Sequence, residues 1–364
     1  MRVFSKIATP IFALSSLLFM GAGCIGPSTS GDTLQTSGTA GIYISSDKGE
    51  AWQPLVSYPT VSGVQSLAGV SVYRIIPDPH DSHTLYWLSR THGMFLTNDD
   101  GKSWQQVKSP LSSGFVYDLT IHPEDPCTLF ATNGTFVYKS EDCTRTWKEV
   151  YRESRADVSI RTLEFHQFAP FQMLAGMSNG DLLTSNDFGS SWTLAKRLGN
   201  SIVEIVSDPY QANRLYLATR SSGLYRSDDG GTEWVSLSAG LQTYTGALEY
   251  HGMTLHPSTA GTLYWISTYG ILMSQDAGEK WTPMSLITPP GSVQIYSFGI
   301  GPKTDTELYY TATINSRSTF YRSIDGGKSW ITRRLPTGQI PTALYIPPEH
   351  VDWVYLGFTI PAAE

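Results

Sequence analysis

The octet SSDKGEAW (residues 45–52) decides how this chain is read, because six variants of it follow. They are TNDDGKSW (97–104), SEDCTRTW (140–147), SNDFGSSW (185–192), SDDGGTEW (227–234), SQDAGEKW (274–281) and SIDGGKSW (323–330). The shared form is S-x-D-x-G-x-x-W, with Thr97 in place of the Ser once and Thr144 in place of the Gly once. Trp52 and Trp330 lie six periods apart, a mean of about 46 residues, and such a period marks a repeat architecture. The chemistry of the octet is structural. A carboxylate at Asp47, Asp99, Asp142, Asp187, Asp229, Asp276 or Asp325 can accept hydrogen bonds from amides of its own turn. The Gly supplies a positive φ. The closing Trp52, Trp104, Trp147, Trp192, Trp234, Trp281 or Trp330 packs beneath the turn.

Upstream of each octet runs a second pattern, clearest as VEIVSDP, RLYLAT and GLYRS before the box and WVSLS after it. It reads as four short strands, a to d, with the box in the c–d turn and a further turn between a and b. Ile75, Leu119, Leu163, Ile205, Met253 and Phe298 share one register of strand a and are expected to pack between repeats. After Trp330 the chain supplies only ALYIPPEH (343–350) and DWVYLGFT (352–359), an a and a b strand. The c and d strands that would complete them stand at residues 41–57. The expected fold is therefore all-β: a seven-bladed β-propeller, four antiparallel strands per blade, over residues 41–364. N-terminal strands c and d and C-terminal strands a and b close the last blade, which removes open sheet edges.

The octets resemble the Asp-boxes of the BNR (bacterial neuraminidase) repeat families, and the resemblance runs from residue 41 onward. The exported, seven-bladed form is similar to the photosystem II assembly-factor propellers and to the ligand-binding propeller of sortilins. That likeness implies a non-catalytic binding or assembly scaffold.

Ahead of the repeats, Arg2 and Lys6 flank the start of an apolar run, Ile7 to Met20, followed by GAGC. This reads as an export signal over residues 1–23. The cysteine after the small residues resembles the bacterial lipoprotein signal, which implies lipidation of Cys24 and an extracytoplasmic, membrane-anchored protein. Residues 24–40 are rich in Gly, Ser and Thr and read as a flexible linker. Without Arg2 and Lys6 the chain holds 23 basic and 32 acidic residues, about −9, which argues against nucleic-acid binding. Cys127 starts strand b and Cys143 follows strand c of the second repeat. They are either a disulfide, suited to an exported protein, or two buried thiols.

Sorting charges by loop sets basic residues on the d–a and b–c connections and acids in or beside the boxes. A basic face of Arg90, Arg152, Arg155, Arg197, Arg220, Arg317, Arg333 and Arg334 is expected to dock a protein partner with an acidic surface. The alternative is a carbohydrate-active propeller, either a glycoside hydrolase or a glycan binder. It predicts aromatic platforms and a carboxylate pair at the channel mouth, with Asp118 and Glu204 as candidates by position. Xyloglucanase-type enzymes are similar in their boxes and place their cleft between two such propellers. The sequence points to no metal, no cofactor and a monomer.

Overall fold

The computed structural model describes residues 37–361. The expected signal (1–23), Cys24 and most of the linker (24–40) lie outside the described residues.

Strands form where branched and aromatic residues can bury both faces of a pleat. Leu129–Thr132, strand b of the second blade, is an example, buried along its length. Phe130 joins a core layer with Leu163 and Phe165 of the third blade. Leu129 and Ala131 point the other way, into a layer with Tyr86 and Leu88 of the first. Repeating this alternation gives seven four-stranded antiparallel sheets among the described residues. Seven apolar layers separate them, one between each pair of neighbouring blades. The expected register holds: Leu119, Leu163, Ile205 and Phe298 all enter those layers.

The ring closes as the sequence implies. Gly41–Ser45 pairs on one side with Gln53–Leu55 and on the other with Val354–Thr359, which pairs in turn with Ile340–Tyr345. One feature was not expected. The connection from the closing blade into the first forms a separate hairpin, Ser57–Thr60 with Gly63–Ser66, whose tip exposes Val61 and Val64.

Each box is held by two hydroxyl and carboxylate contacts rather than by the Asp alone. In the closing blade the Ser45 hydroxyl donates to Asp47 (2.7 Å) and accepts from the Gly49 amide (2.7 Å). Asp47 then accepts from the Ala51 amide (2.8 Å). The same pattern recurs in the other boxes, with Thr97 standing in for Ser in the first blade. The residue before the Gly position always has a positive φ, from 54° at Cys143 to 75° at Gly230. Its amide donates to a carbonyl of the same blade's a–b turn, as Asp100 does to His83 and Phe188 to Phe171.

Side chains often reinforce that link. His83 and Asp100 contact at 2.8 Å, and Lys48 and Asp352 at 3.4 Å. In the second blade the link is covalent: Cys127 and Cys143, with Cα atoms 4.0 Å apart, form a disulfide. The pair stands at the box that lacks its Gly.

Candidate functional site

The first strand of each sheet lines the channel, and in blades three to seven it carries an irregularity of one residue near its start. Such bulges twist a strand and re-aim one side chain. Here the extra residues are Arg161, Val203, His251, Tyr296 and Thr342. The extra position is present in the sequence, but alternation alone does not distinguish it from an ordinary strand residue.

Above the first three blades, rings and guanidinium groups are interleaved. Tyr73 meets Phe115 edge-on (4.8 Å), and Phe115 stacks on Tyr117 (3.8 Å between centroids, 24°). Arg90 lies over both Tyr73 (4.9 Å) and Phe115 (5.2 Å), and Arg161 over Tyr117 (4.7 Å). The three rings are half-buried, so each keeps one part open to solvent. Sequence reading singled out Arg90 but none of these aromatics. Phe115 and Tyr117 share the connection into the second blade, and the neighbouring first blade brings Tyr73 and Arg90 to them.

Below this platform lies a charged cluster. Arg74 contacts Asp118 (3.1 Å) and donates to the Val203 carbonyl (3.2 Å), spanning from the first blade to the fourth. Asp118 also accepts from the amides of Leu163 (2.9 Å) and Leu119 (3.1 Å), so both its oxygens are occupied. Glu204 has one buried oxygen without a partner among the described residues. Burial pushes its carboxyl up to about 7, a rise that Arg74 opposes and Asp118 reinforces. Burial likewise pushes Glu164 up to about 8, although the Ser207 amide donates to it (2.8 Å) and works the other way.

These shifts have a stability consequence with a definite sign. A carboxyl whose folded pKa is raised stabilises fully below its unfolded value and loses that contribution as pH rises through the folded one. The double variant Glu164→Gln/Glu204→Gln should therefore gain on the parent protein as pH rises from about 4.5 to about 8. The comparison must be made against the variant. His166, His251 and His256, all lowered by burial, act in the opposite sense in the parent curve. Parallel thermal-melting curves for the two proteins across that window would remove the effect.

Of the eight arginines of the expected basic face, three are paired with carboxylates. Arg155 is held by Glu153 (2.9 Å) and Asp181 (2.7 Å), and Arg197 approaches Asp181 at 3.5 Å. Arg333 pairs with Glu50 of the neighbouring blade's box rather than standing on a face opposite the boxes. The reason is position along the chain: Arg333 lies within strand Ile331–Arg333, three residues after Trp330 of its own box, not on the d–a connection. Arg90 and Arg152 rest on aromatic rings, the latter over Phe136 at 5.4 Å. Arg220, Arg317 and Arg334 are exposed, with no carboxylate partner among the described residues.

The fold is a seven-bladed β-propeller, with inner strands lining a central channel. A family model described as Sortilin-Vps10: Sortilin, neurotensin receptor 3 matches residues 40–156. Among curated proteins the chain is similar to an oligoxyloglucan-reducing end-specific xyloglucanase of Emericella nidulans, 23% identical over 57% of this chain and 23% of that protein. It is also similar to the photosystem II assembly protein Ycf48 of a Synechococcus species, 25% identical over 40% of this chain and 44% of that one. Among solved structures, the GH74 xyloglucanase from Xanthomonas campestris superposes with a TM-score of 0.64 at 17% identity, covering 80% of this chain and 51% of its own. YCF48 bound to D1 peptide superposes with a TM-score of 0.59 at 15% identity, covering 81% and 94%. The chain thus spans less than half the length of the curated relatives named here. It is a seven-bladed propeller similar to sortilin-type and assembly-factor propellers.

The functional expectation is corrected. A non-catalytic scaffold docking a protein on an arginine face does not survive the recurrence of xyloglucanases among the relatives and GH74 enzymes among the structures. The alternative, a carbohydrate-active propeller, is the reading they favour.

Proposed function

We propose that this chain is a carbohydrate-active propeller that binds a xyloglucan-type glycan over the channel mouth of its first three blades. The observation that carries the reading is the platform of Tyr73, Phe115 and Tyr117 flanked by Arg90 and Arg161. Sugar C–H groups can pack on the parts of these rings left open to solvent, and sugar hydroxyls accept hydrogen bonds from guanidinium groups. A half-open apolar wall with a few fixed polar groups suits a glycan better than a charged peptide. The xyloglucanase relatives supply the substrate class.

Hydrolysis makes a further demand: one carboxyl that gives a proton and a second that is free as base or nucleophile. Glu204 fits the first role, since burial pushes its carboxyl up to about 7 and one of its oxygens has no partner among the described residues. Asp118 does not fit the second, because Arg74 and the Leu163 amide hold it. The Asp118–Glu204 pair is therefore not proposed, and recognition is the activity assigned to this chain's own residues.

Calorimetric titration with xyloglucan oligosaccharides tests the reading. Tyr117→Ala should weaken binding about tenfold, the cost of one aromatic anchor, with the fold intact. Affinity that is absent, or unchanged by Tyr117→Ala and Phe115→Ala, would sink it. New reducing ends released from xyloglucan, and lost in Glu204→Gln, would extend the reading from recognition to turnover. Anchoring through Cys24 on an extracytoplasmic membrane surface belongs to the same proposal, and membrane fractionation of Cys24→Ser tests it separately.

A further inference from the structure

The hairpin between the closing and first blades belongs to no sheet of the ring. Ser57–Thr60 and Gly63–Ser66 form the one two-stranded sheet among the described residues. Its base is fixed to its neighbours. The Leu67 amide donates to the Val56 carbonyl (2.8 Å), and the Trp104 amide, in the first blade's box, donates to the Ser57 carbonyl (2.9 Å). Tyr58 meets Phe95 of the first blade edge-on at 6.0 Å. At the far end the Thr60 hydroxyl donates to the Gly63 carbonyl (2.8 Å) and closes the turn. The hairpin is an ordered finger with a fixed root.

Its tip is poorly suited to water. Val61 and Val64 are the two most exposed large apolar residues among the described residues, at 110% and 75%. Pro59 stands opposite Val64 in register and is exposed as well. No residue from 51 to 73 is charged, in a chain where 16% are. Gly63–Ser66 is also an open edge, and open edges are ordinarily blunted by charge, by Pro or by a covering segment. Single apolar residues scattered over a surface need no explanation. Here three share one tip, on a connection that the other blades make without a hairpin.

The course of the chain indicates what covers that tip. The chain enters the fold at the root of the finger: the Ala40 amide donates to the Ala68 carbonyl (2.8 Å), and the Ser37 carbonyl accepts from the Gly338 amide (2.9 Å). Thirty-six residues precede Ser37, among them the apolar run 7–20 and Cys24. Twelve residues separate Cys24 from Ser37, a span of at most about 45 Å. The paired strands of the finger are about 13 Å long. The tip can therefore meet a bilayer that holds Cys24. A protein partner is selected largely by complementary charge, which the finger lacks. The interfacial layer of a bilayer requires only apolar area to bury.

We infer that the hairpin of residues 57–66 is a membrane finger, whose tip of Pro59, Val61 and Val64 enters the interfacial layer of a lipid bilayer. The inference rests on the anchoring through Cys24 proposed above, which supplies the bilayer, and is independent of the glycan reading.

Quenching by brominated lipid tests it. The full chain, carrying an environment-sensitive fluorophore at Ser62→Cys, is reconstituted with phosphatidylcholine vesicles whose acyl chains are brominated. A fluorophore at Ser190→Cys, exposed in the third blade on the far side of the ring, is the reference. The Ser62 position should be quenched severalfold more than the Ser190 position. Val61→Asp/Val64→Asp should abolish that difference, and Val61→Ser/Val64→Ser should reduce it. Both variants should keep the parent melting temperature, because the two side chains face water in the folded chain. Flotation of the vesicles reads the anchoring separately. A chain that floats with equal quenching at the two positions, or with quenching that survives Val61→Asp/Val64→Asp, overturns the finger and leaves the anchoring standing. A chain that does not float overturns both. A dimer in sedimentation that Val61→Asp/Val64→Asp abolishes would assign the tip to a second copy and overturn the inference as well.

Discussion

Removing residues 340–364 should abolish cooperative folding, even though every complete box remains. The lost segment contains both C-terminal strands of the closing blade, Ile340–Tyr345 and Val354–Thr359. Val354, Tyr355, Leu356 and Phe358 are almost wholly buried, and they serve two different layers. Tyr355 packs with Leu85, Trp87 and Trp104 of the first blade, while Val354, Leu356 and Phe358 pack with Tyr309 and Phe320 of the sixth. At about 1.5–3 kcal/mol per large buried side chain, these four alone account for roughly 6–12 kcal/mol. That is comparable to the whole stability of a typical domain, about 5–15 kcal/mol. Gly41–Ser45 would also become an open edge, a template for association with other chains. Urea unfolding followed by fluorescence should show no cooperative transition, and a peptide of residues 340–364 added in trans should restore one. A truncated protein that melts within a few degrees of the parent would show that closure contributes little.

Asp118→Ala should cost about 2–4 kcal/mol, more than a surface ion pair is worth. Removing one partner of a buried pair costs about 3–5 kcal/mol, because the other charge is left uncompensated. Arg74 retains some exposure in the channel, 26% of its side chain, so water screens part of that penalty. The Leu163 amide also loses its acceptor, and an unsatisfied buried donor costs about 1–3 kcal/mol. Asp118→Asn should be milder, since its carbonyl can still accept from Leu163 or Arg74. Chemical denaturation of the two variants would order them. An Asp118→Ala protein as stable as the parent would mean that Arg74 finds other partners, the Val203 carbonyl first among them.

Much of the box face was legible because each box is local. Ser, Asp, Gly and Trp lie within eight residues, so the hydrogen bonds that hold the turn are written in one short string. Even there one half was missed: the Ser hydroxyl supports the turn as fully as the Asp does, accepting from Gly49 while donating to Asp47. The half-blades at the two ends were equally legible, because strand order is a property of sequence order.

The channel mouth was not legible in the same way. Tyr73, Phe115 and Tyr117 look like ordinary residues beside strands until two neighbouring blades bring Tyr73 edge-on to the stacked Phe115–Tyr117 pair. Arg155, Arg197 and Arg333 read as free charges until the fold sets them beside carboxylates: Glu153 and Asp181 for Arg155, the cross-strand neighbour Asp181 for Arg197, and Glu50, distant in sequence, for Arg333. Asp118 read as a catalytic candidate until Arg74 and Leu163, on two other blades, took up its oxygens.

The sequence by itself determined the repeat, the number of blades, the closure of the ring and the proximity of Cys127 to Cys143. These follow from periodicity, from pairings between strands adjacent in order and, for closure, from the complementary half-blades at the two ends of the repeats. Only the tertiary structure decided which charges stay free, which rings form a surface and which carboxyls keep their protons. Those properties depend on solvation and on contacts between blades. A side chain's position in its own repeat does not fix what the next blade brings against it.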